Sequence, residues 1–155
     1  MHRVGVLPFD IFENEMAMLF ITSKTRGRWI PPKGRAKDGE SHEDVCHREA
    51  FEEAGINGTV LSDFPITVVI SRTKNGVIEK IPVTYYPFLV ESQSNAWPEK
   101  DERERHWVTM KDVQRFADRK DFYNLLAQFE ELTPWIKTAA LLHKSEQPKA
   151  QKQAQ

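Results

Sequence analysis

Cysteine is nearly missing from this 155-residue chain. Cys46 stands alone, which excludes a disulfide framework and a cysteine-rich zinc site and points to a reducing compartment. Long apolar runs are missing as well. The clean apolar runs, such as Ile66-Thr67-Val68-Val69-Ile70, are far too short to span a bilayer. The first residues carry neither the basic region nor the long apolar segment of a secretory leader. An excess of one charge is also absent. The 22 Lys and Arg nearly cancel the 23 Asp and Glu, so no membrane and no stable nucleic-acid partner is expected. What is present suits one core: 39% of residues are apolar, including nine Phe and four Trp. The expectation is a soluble, cytoplasmic domain over residues 1–144, with a disordered tail at 145–155 whose EQPKAQKQAQ run has nothing to bury.

Apolar stretches at residues 3–9 and 16–21 predict two strands with a turn over 10–14. Residues 24–37 hold two glycines and paired prolines and predict an ordered loop. Ser41, with Asp44 three positions on, predicts a helix start; Gly55 predicts its left-handed end. Two long strands are then expected at 59–72 and 79–91, joined at Asn75-Gly76, the strongest short hairpin signal. A short strand at 105–108, a brief helix from Thr109 to Phe116 and a helix over 121–143, interrupted at Pro134, complete the reading.

The charges are sorted along the chain. Residues 24–37 carry Lys24, Arg26, Arg28, Lys33, Arg35 and Lys37 with no acid. Residues 38–53 carry seven acids against Arg48 alone. A basic loop feeding an acidic helix suits one cleft that holds a polyanion at one end and a divalent cation at the other. On a helix, Glu49, Glu52 and Glu53 fall within an arc of about 100°. Carboxylates so placed repel one another, a crowding that a hard cation with oxygen ligands relieves. Arg48 is placed to pair with one of them. Cys46, Ala50 and Ala54 form the opposite, small-residue side.

Residues 34–56 read GRAKDGESHEDVCHREAFEEAGI, which fills every fixed position of G-x5-E-x7-R-E-U-x-E-E-x-G-U, with U apolar and Ala50 small for its place. The segment resembles the Nudix box. The resemblance implies an α/β/α sandwich around a central mixed sheet, with the box as a loop–helix–loop. It implies hydrolysis of a phosphoanhydride with Mg²⁺, or Mn²⁺ as a substitute. By position, Glu49, Glu52, Glu53 and the backbone carbonyl of Lys33 would be metal ligands. Arg48 would orient a glutamate, Glu40 would brace the loop, and Glu52 is the favoured general base.

Outside the box, Pro31-Pro32-Lys33-Gly34 is similar to diadenosine polyphosphate hydrolases. Arg28-Trp29, Trp97-Pro98-Glu99 and Arg103-x-Arg105-x-Trp107 are similar to diphosphoinositol polyphosphate phosphohydrolases. Both substrate classes are dense polyanions, which guanidinium groups grip bidentately and ammonium groups hold as point charges. Lys24, Arg26, Arg28 and Arg35 are expected to form one wall of the substrate pocket. Arg72, Lys74, Arg103 and Arg105 are expected to form the other. The rival readings are a nucleotide-sugar or RNA 5′-end pyrophosphohydrolase, and a non-catalytic module that binds a phosphorylated ligand.

Overall fold

The computed structural model describes residues 2–25, 27–117 and 119–147. Strands β1 (Arg3–Phe12) and β2 (Glu15–Thr22) form an antiparallel hairpin. Its two turn residues, Glu13 and Asn14, both have positive φ (48° and 72°), the geometry that matches the strand twist. Both strands are longer than their apolar stretches because pairing continues to Phe12 and Glu15. The basic loop contributes two short strands. β3 (Trp29–Ile30) joins β2, and β4 (Lys33–Gly34) joins β1.

Helix α1 (His42–Ala54) has the expected reciprocal cap between Ser41 and Asp44, and Gly55 closes it at φ 67°. The expected strand over 59–72 is two strands: β5 (Ile56–Val60) and β6 (Ile66–Lys74). Pro65, without an N–H, lies in the segment between them, where residues 61–65 leave the ladder. Both pair antiparallel with the 17-residue β7 (Val77–Gln93), β6 near its start and β5 near its end. The β6–β7 turn is Asn75-Gly76, with φ 52° and 78°. β8 (Arg105–Thr109) closes on β2, and a 3₁₀ turn follows at Met110–Phe116. Helix α2 (Lys120–Ser145) runs through Pro134 without interruption, held by Phe129, Ile136 and Ala140, all fully buried on either side of it. Ser145 therefore belongs to the helix, and residues 148–155 of the expected tail lie outside the described residues.

β1 runs parallel to β7, while the other pairings are antiparallel, so the sheet is mixed. Its two faces carry separate cores. Leu7, Phe9, Met18 and Phe20 pack with Leu125, Leu126 and Phe129 of α2. Val4, Val6, Leu19 and Ile21 pack with Val45, Cys46, Ala50 and Ala54 of α1. Alternate residues of β1 and β2 thus meet a helix on each side, which explains why these strands read as continuous apolar runs. The result is an α/β/α sandwich. No helix among the described residues is long and apolar enough to cross a membrane.

The β5–β7 ladder slips at Asn57-Gly58, where a Cβ on Gly58 would sit 1.9 Å from the Leu89 carbonyl oxygen. That neighbour is backbone and has nowhere to go. Gly58→Ala is expected to cost about 2–3 kcal/mol, read as a lower urea midpoint at unchanged slope.

Candidate active site

Helix α1 lies along the sheet with its small side inward: Cys46, Ala50 and Ala54 are fully buried. Burial pushes the Cys46 thiol up to about 12, so it is unreactive at neutral pH. This close seating also pulls part of the acidic face under the protein. Glu49 and Glu53 are buried at 7% and 8% exposure, whereas the Glu52 side chain keeps 36%. The arc read from the helical wheel is therefore divided into two covered carboxylates and one at the rim.

Strand β4 is the lid over the covered pair. The Lys33 N–H lies 3.3 Å from Glu53 Oε1. Gly34 faces Glu49 so closely that a Cβ there would lie 2.4 Å from the Glu49 carboxyl carbon. A side chain at 34 would displace the Glu49 carboxylate from the space it now occupies beside the glycine.

Arg48 ties the acids together. Its Nε donates to Glu40 Oε2 at 2.8 Å and its Nη2 to Glu40 Oε1 at 2.9 Å, a two-pronged grip. Nη1 contacts Glu49 and reaches Glu52 Oε2 at 3.4 Å, and Nη2 also donates to the Arg35 carbonyl at 2.8 Å. Glu40 in turn accepts the Lys37 N–H at 2.6 Å. The Arg48 guanidinium and that backbone donor hold the Glu40 carboxyl at about 2. Glu53 is the opposite case. Burial first, then the hydrogen bond to Glu49 and its charge, push the Glu53 carboxyl up to about 8. Lys33 is pushed down, chiefly by burial and further by Arg3, Arg103 and Arg119, with Glu53 opposing.

The far end of α1 has no basic residue in its last turn. Its carbonyls are met instead by the loop before β8. Trp97 Nε1 donates to Glu53 O at 3.2 Å, and Arg105 Nη1 donates to Ala54 O at 2.9 Å. Arg105 Nη2 also bonds Ser94 O at 2.8 Å, and its guanidinium lies 4.1 Å from the Trp97 ring centre. A cation at a helix C-terminus offsets the macrodipole, and this is where the structure places Arg105. Arg103, with 7% of its side chain exposed, bridges Glu99 at 2.9 Å, Glu53 at 3.6 Å and the Thr22 carbonyl at 2.9 Å. It holds the loop against the acids.

The remaining expected cations divide. Arg28, Lys33 and Arg72 line one cavity of about 430 Å³. Arg72 is paired with Glu79 at 3.0 Å and Lys74 is exposed at the end of β6. Lys24 pairs with Glu102 at 3.0 Å and Glu99 at 3.4 Å, and Arg35 is exposed at the start of the box. Arg26 lies outside the described residues.

Two arginines at this site have no counterpart in the sequence reading. Arg119 lines the same cavity and donates to the Ser71 carbonyl and to Asp121 Oδ2 at 3.0 Å. It is the residue before the first turn of α2, where a cation opposes the helix dipole. That misplaced charge was the available signal. Arg3 is brought beside the box by β1, and nothing in its own neighbourhood of sequence marks it.

The comparisons with known proteins come to the same place. Residues 1–129 match the NUDIX domain model, and the chain belongs to the Nudix family. It is 32% identical to Nudix hydrolase 13, mitochondrial, of Arabidopsis thaliana over 76% of this chain and 61% of that protein. It is 33% identical to the RNA pyrophosphohydrolase of Sulfurovum sp. over 51% of this chain and 49% of that protein. The chain thus spans about half to three fifths of these relatives. A solved C. elegans Ap4A hydrolase complex shares the fold at a TM-score of 0.66 and 21% identity, covering 86% of this chain and 97% of that one.

Members of this family generally use divalent metals. Among the described residues no three His, Cys, Asp or Glu side chains stand ready as a ligand group. The donor chemistry nevertheless fits. Glu49 and Glu53 are hydrogen-bonded carboxyls held under β4, and a hard cation satisfies such oxygens in place of a shared proton.

Proposed function

We propose that this chain is a divalent-metal-dependent pyrophosphohydrolase that cleaves phosphoanhydride bonds of diphosphoinositol polyphosphates, diadenosine polyphosphates, or both, in the cytoplasm. The observation that carries this reading is the pairing of two environments. Buried Glu49 and Glu53 sit under Lys33-Gly34, and beside them lies a cavity lined by Arg28, Lys33, Arg72 and Arg119, with no carboxylate in its wall among the described residues. A phosphate-dense ligand suits that cavity, because guanidinium forks match its oxygens.

Glu49, Glu53 and the Lys33 carbonyl would hold Mg²⁺ or Mn²⁺, which supplies charge neutralisation and acidifies water. The chain's own residues do the rest. Glu52, at the rim, accepts the proton of the attacking water as the new P–O bond forms and the bridging P–O bond breaks. Arg48 fixes the Glu52 and Glu49 rotamers, and Glu40 fixes Arg48. Arg28, Lys33, Arg72 and Arg119 orient the polyphosphate and stabilise charge on the leaving group.

The test is a substrate panel with Mg²⁺: a diphosphoinositol polyphosphate, diadenosine tetraphosphate, a nucleotide sugar and 5′-triphosphorylated RNA. One of the first two is expected to give the highest kcat/KM, and Glu52→Gln to lower it about 10²–10⁴-fold. Preference for the RNA or the nucleotide sugar overturns the substrate choice. Unchanged turnover in Glu52→Gln overturns the base assignment.

A further inference from the structure

We propose that the protein pairs with a second copy of itself along the free edge of β6, the two strands running antiparallel about a two-fold axis at Val68.

β6 has a strand partner on one side only. Its ladder to β7 is unbroken from Ile66 opposite Tyr85 to Lys74 opposite Val77, and no other strand among the described residues joins it. In such a ladder, successive residues turn both backbone groups alternately towards the partner and away from it. Two observations fix which residues face away. The Ser71 N–H donates to Asp121 Oδ2 at 3.1 Å and the Ser71 carbonyl accepts from Arg119, so Ser71 faces away from β7. Val69, two residues earlier, stands opposite Pro82, which has no N–H to give it. Thr67 follows by the same alternation. Asp121 and Arg119 thus do for Ser71 what a neighbouring strand would do. Nothing does so for Thr67 and Val69 among the described residues.

The edge is also unguarded. Natural edge strands are kept apart by charged side chains, prolines or bulges. From Phe64 to Ser71 this chain has no charged residue, the β6–β7 register has no shift, and Pro65 precedes the strand. Thr67-Val68-Val69-Ile70 is a run of β-branched residues, and Val69 is 54% exposed. Beside this edge lies a cavity of about 520 Å³, with Thr67, Val69 and Ser71 on its strand side and Asn124 and Gln128 of α2 on its helix side. It is a slot along a strand with free backbone groups, bordered by amides that both donate and accept.

A second copy suits the slot because the edge is self-complementary. With the axis at Val68, Thr67 of each copy meets Val69 of the other in two hydrogen-bonded pairs, each exchanging both N–H···O bonds. In that register Pro65, which lacks an N–H, falls opposite Ser71, whose groups are already taken. An axis at Val69 would set Thr67 against Ser71, and one at Thr67 would set Val69 against Pro65, each leaving free groups unpaired. Charge agrees with the direction. Asp63 stands before the uncharged stretch and Arg72 and Lys74 stand after it. Antiparallel copies place each acidic end beside the other's basic end, whereas parallel copies would place like beside like. The pairing would end beside the basic cavity, since Ser71 and Arg119 line both.

Sedimentation equilibrium of the protein, from micromolar to submillimolar, reads the mass directly. Wild type is expected to pass from the one-chain to the two-chain mass. Val69→Pro removes a free-edge N–H and no bond to β7, and is expected to stay at the one-chain mass. Val69→Lys keeps the N–H and adds the missing guard charge; it is expected to weaken association about 10-fold or more, and it decides the matter if Val69→Pro fails to fold. Val77→Lys, at another exposed apolar residue (62%), is expected to associate as wild type. Asp63→Lys and Lys74→Asp are each expected to weaken association a few-fold, and the double variant to recover it, because the swap restores opposite charges. A one-chain mass for wild type at every concentration overturns the proposal and leaves the edge to an extended segment of another protein. Unchanged association in the Val69 variants overturns it as well, since another face would then join the copies. An equal loss in Val77→Lys does the same, because exposed apolar surface alone would then drive association. A charge swap without recovery overturns the antiparallel register.

Discussion

Glu53→Gln is expected to lower kcat/KM with Mg²⁺ about 10²–10³-fold while making the metal-free protein more stable at pH 8. Both effects have one origin. Glu53 lies beneath Lys33 and against Glu49, in a site too dry and too negative for two free carboxylates. Its carboxyl is pushed up to about 8, from an ordinary value of 4.5. A folded-state value above the unfolded one means that the fold keeps a proton the unfolded chain releases. The resulting stability is complete below about 4.5 and is lost as the pH rises through about 8. The metal-free wild type should therefore show an unfolding temperature that falls between pH 5 and pH 8. In Glu53→Gln that part of the slope should vanish, because an amide keeps the neutral form at every pH. Thermal unfolding at several pH values in the presence of chelator checks the stability claim; steady-state kinetics checks the other. A wild-type slope retained in Glu53→Gln would show that another group titrates there.

Arg48→Ala is expected to damage both the fold and activity. One guanidinium holds Glu40, Glu49 and Glu52, and also the Arg35 carbonyl. Removing it leaves several acids facing one another with no cation between them, and frees the loop that carries β4. Breaking a buried ionic group costs about 3–5 kcal/mol. Here 19% of the Arg48 side chain and 17% of Glu40 remain exposed, so about 2–3 kcal/mol is the reasonable expectation. For a chain of this size that lowers the unfolding temperature by roughly 5–10 °C. Activity should fall about 10²-fold, since Glu49 and Glu52 lose the group that fixes their rotamers. Arg48→Lys should recover little, because an ammonium cannot make the two-pronged contact to Glu40 at 2.8 and 2.9 Å while reaching Glu49. Full rescue by lysine would mean that charge alone, and not the fork, is what the site needs.

Local features were legible from the residues. The cap at Ser41 and Asp44, the stop at Gly55 and the turn at Asn75-Gly76 each depend on a few neighbouring atoms, and each stands where it was expected. The single strand expected over 59–72 failed for a nonlocal reason. Two strands share one edge of β7, and periodicity cannot tell one long partner from two short ones joined through 61–65. Pro134 misled in the same way: its local cost to the helix is real, but burial on both sides of it outweighs that cost.

The acidic face was also visible early, as Glu49, Glu52 and Glu53 on one arc of α1. Which of them would be covered was not, because that depends on how closely Ala50 and Ala54 let the helix approach the sheet and where β4 crosses it. Arg105 shows the same limit. Its spacing from Trp107 suggested a pocket wall, and the structure places it on the carbonyls of Ala54 and Ser94. The chain alone determined the family's box, the caps, the turns and the kinds of chemical group on hand, since these are matters of spacing and of one residue beside the next. Tertiary packing decided that Glu49 and Glu53 share a dry site while Glu52 meets water. It also placed Arg3 and Arg119, distant in sequence, near the same basic loop. Burial and long-range charge set those outcomes, and neither exists until the sheet has closed.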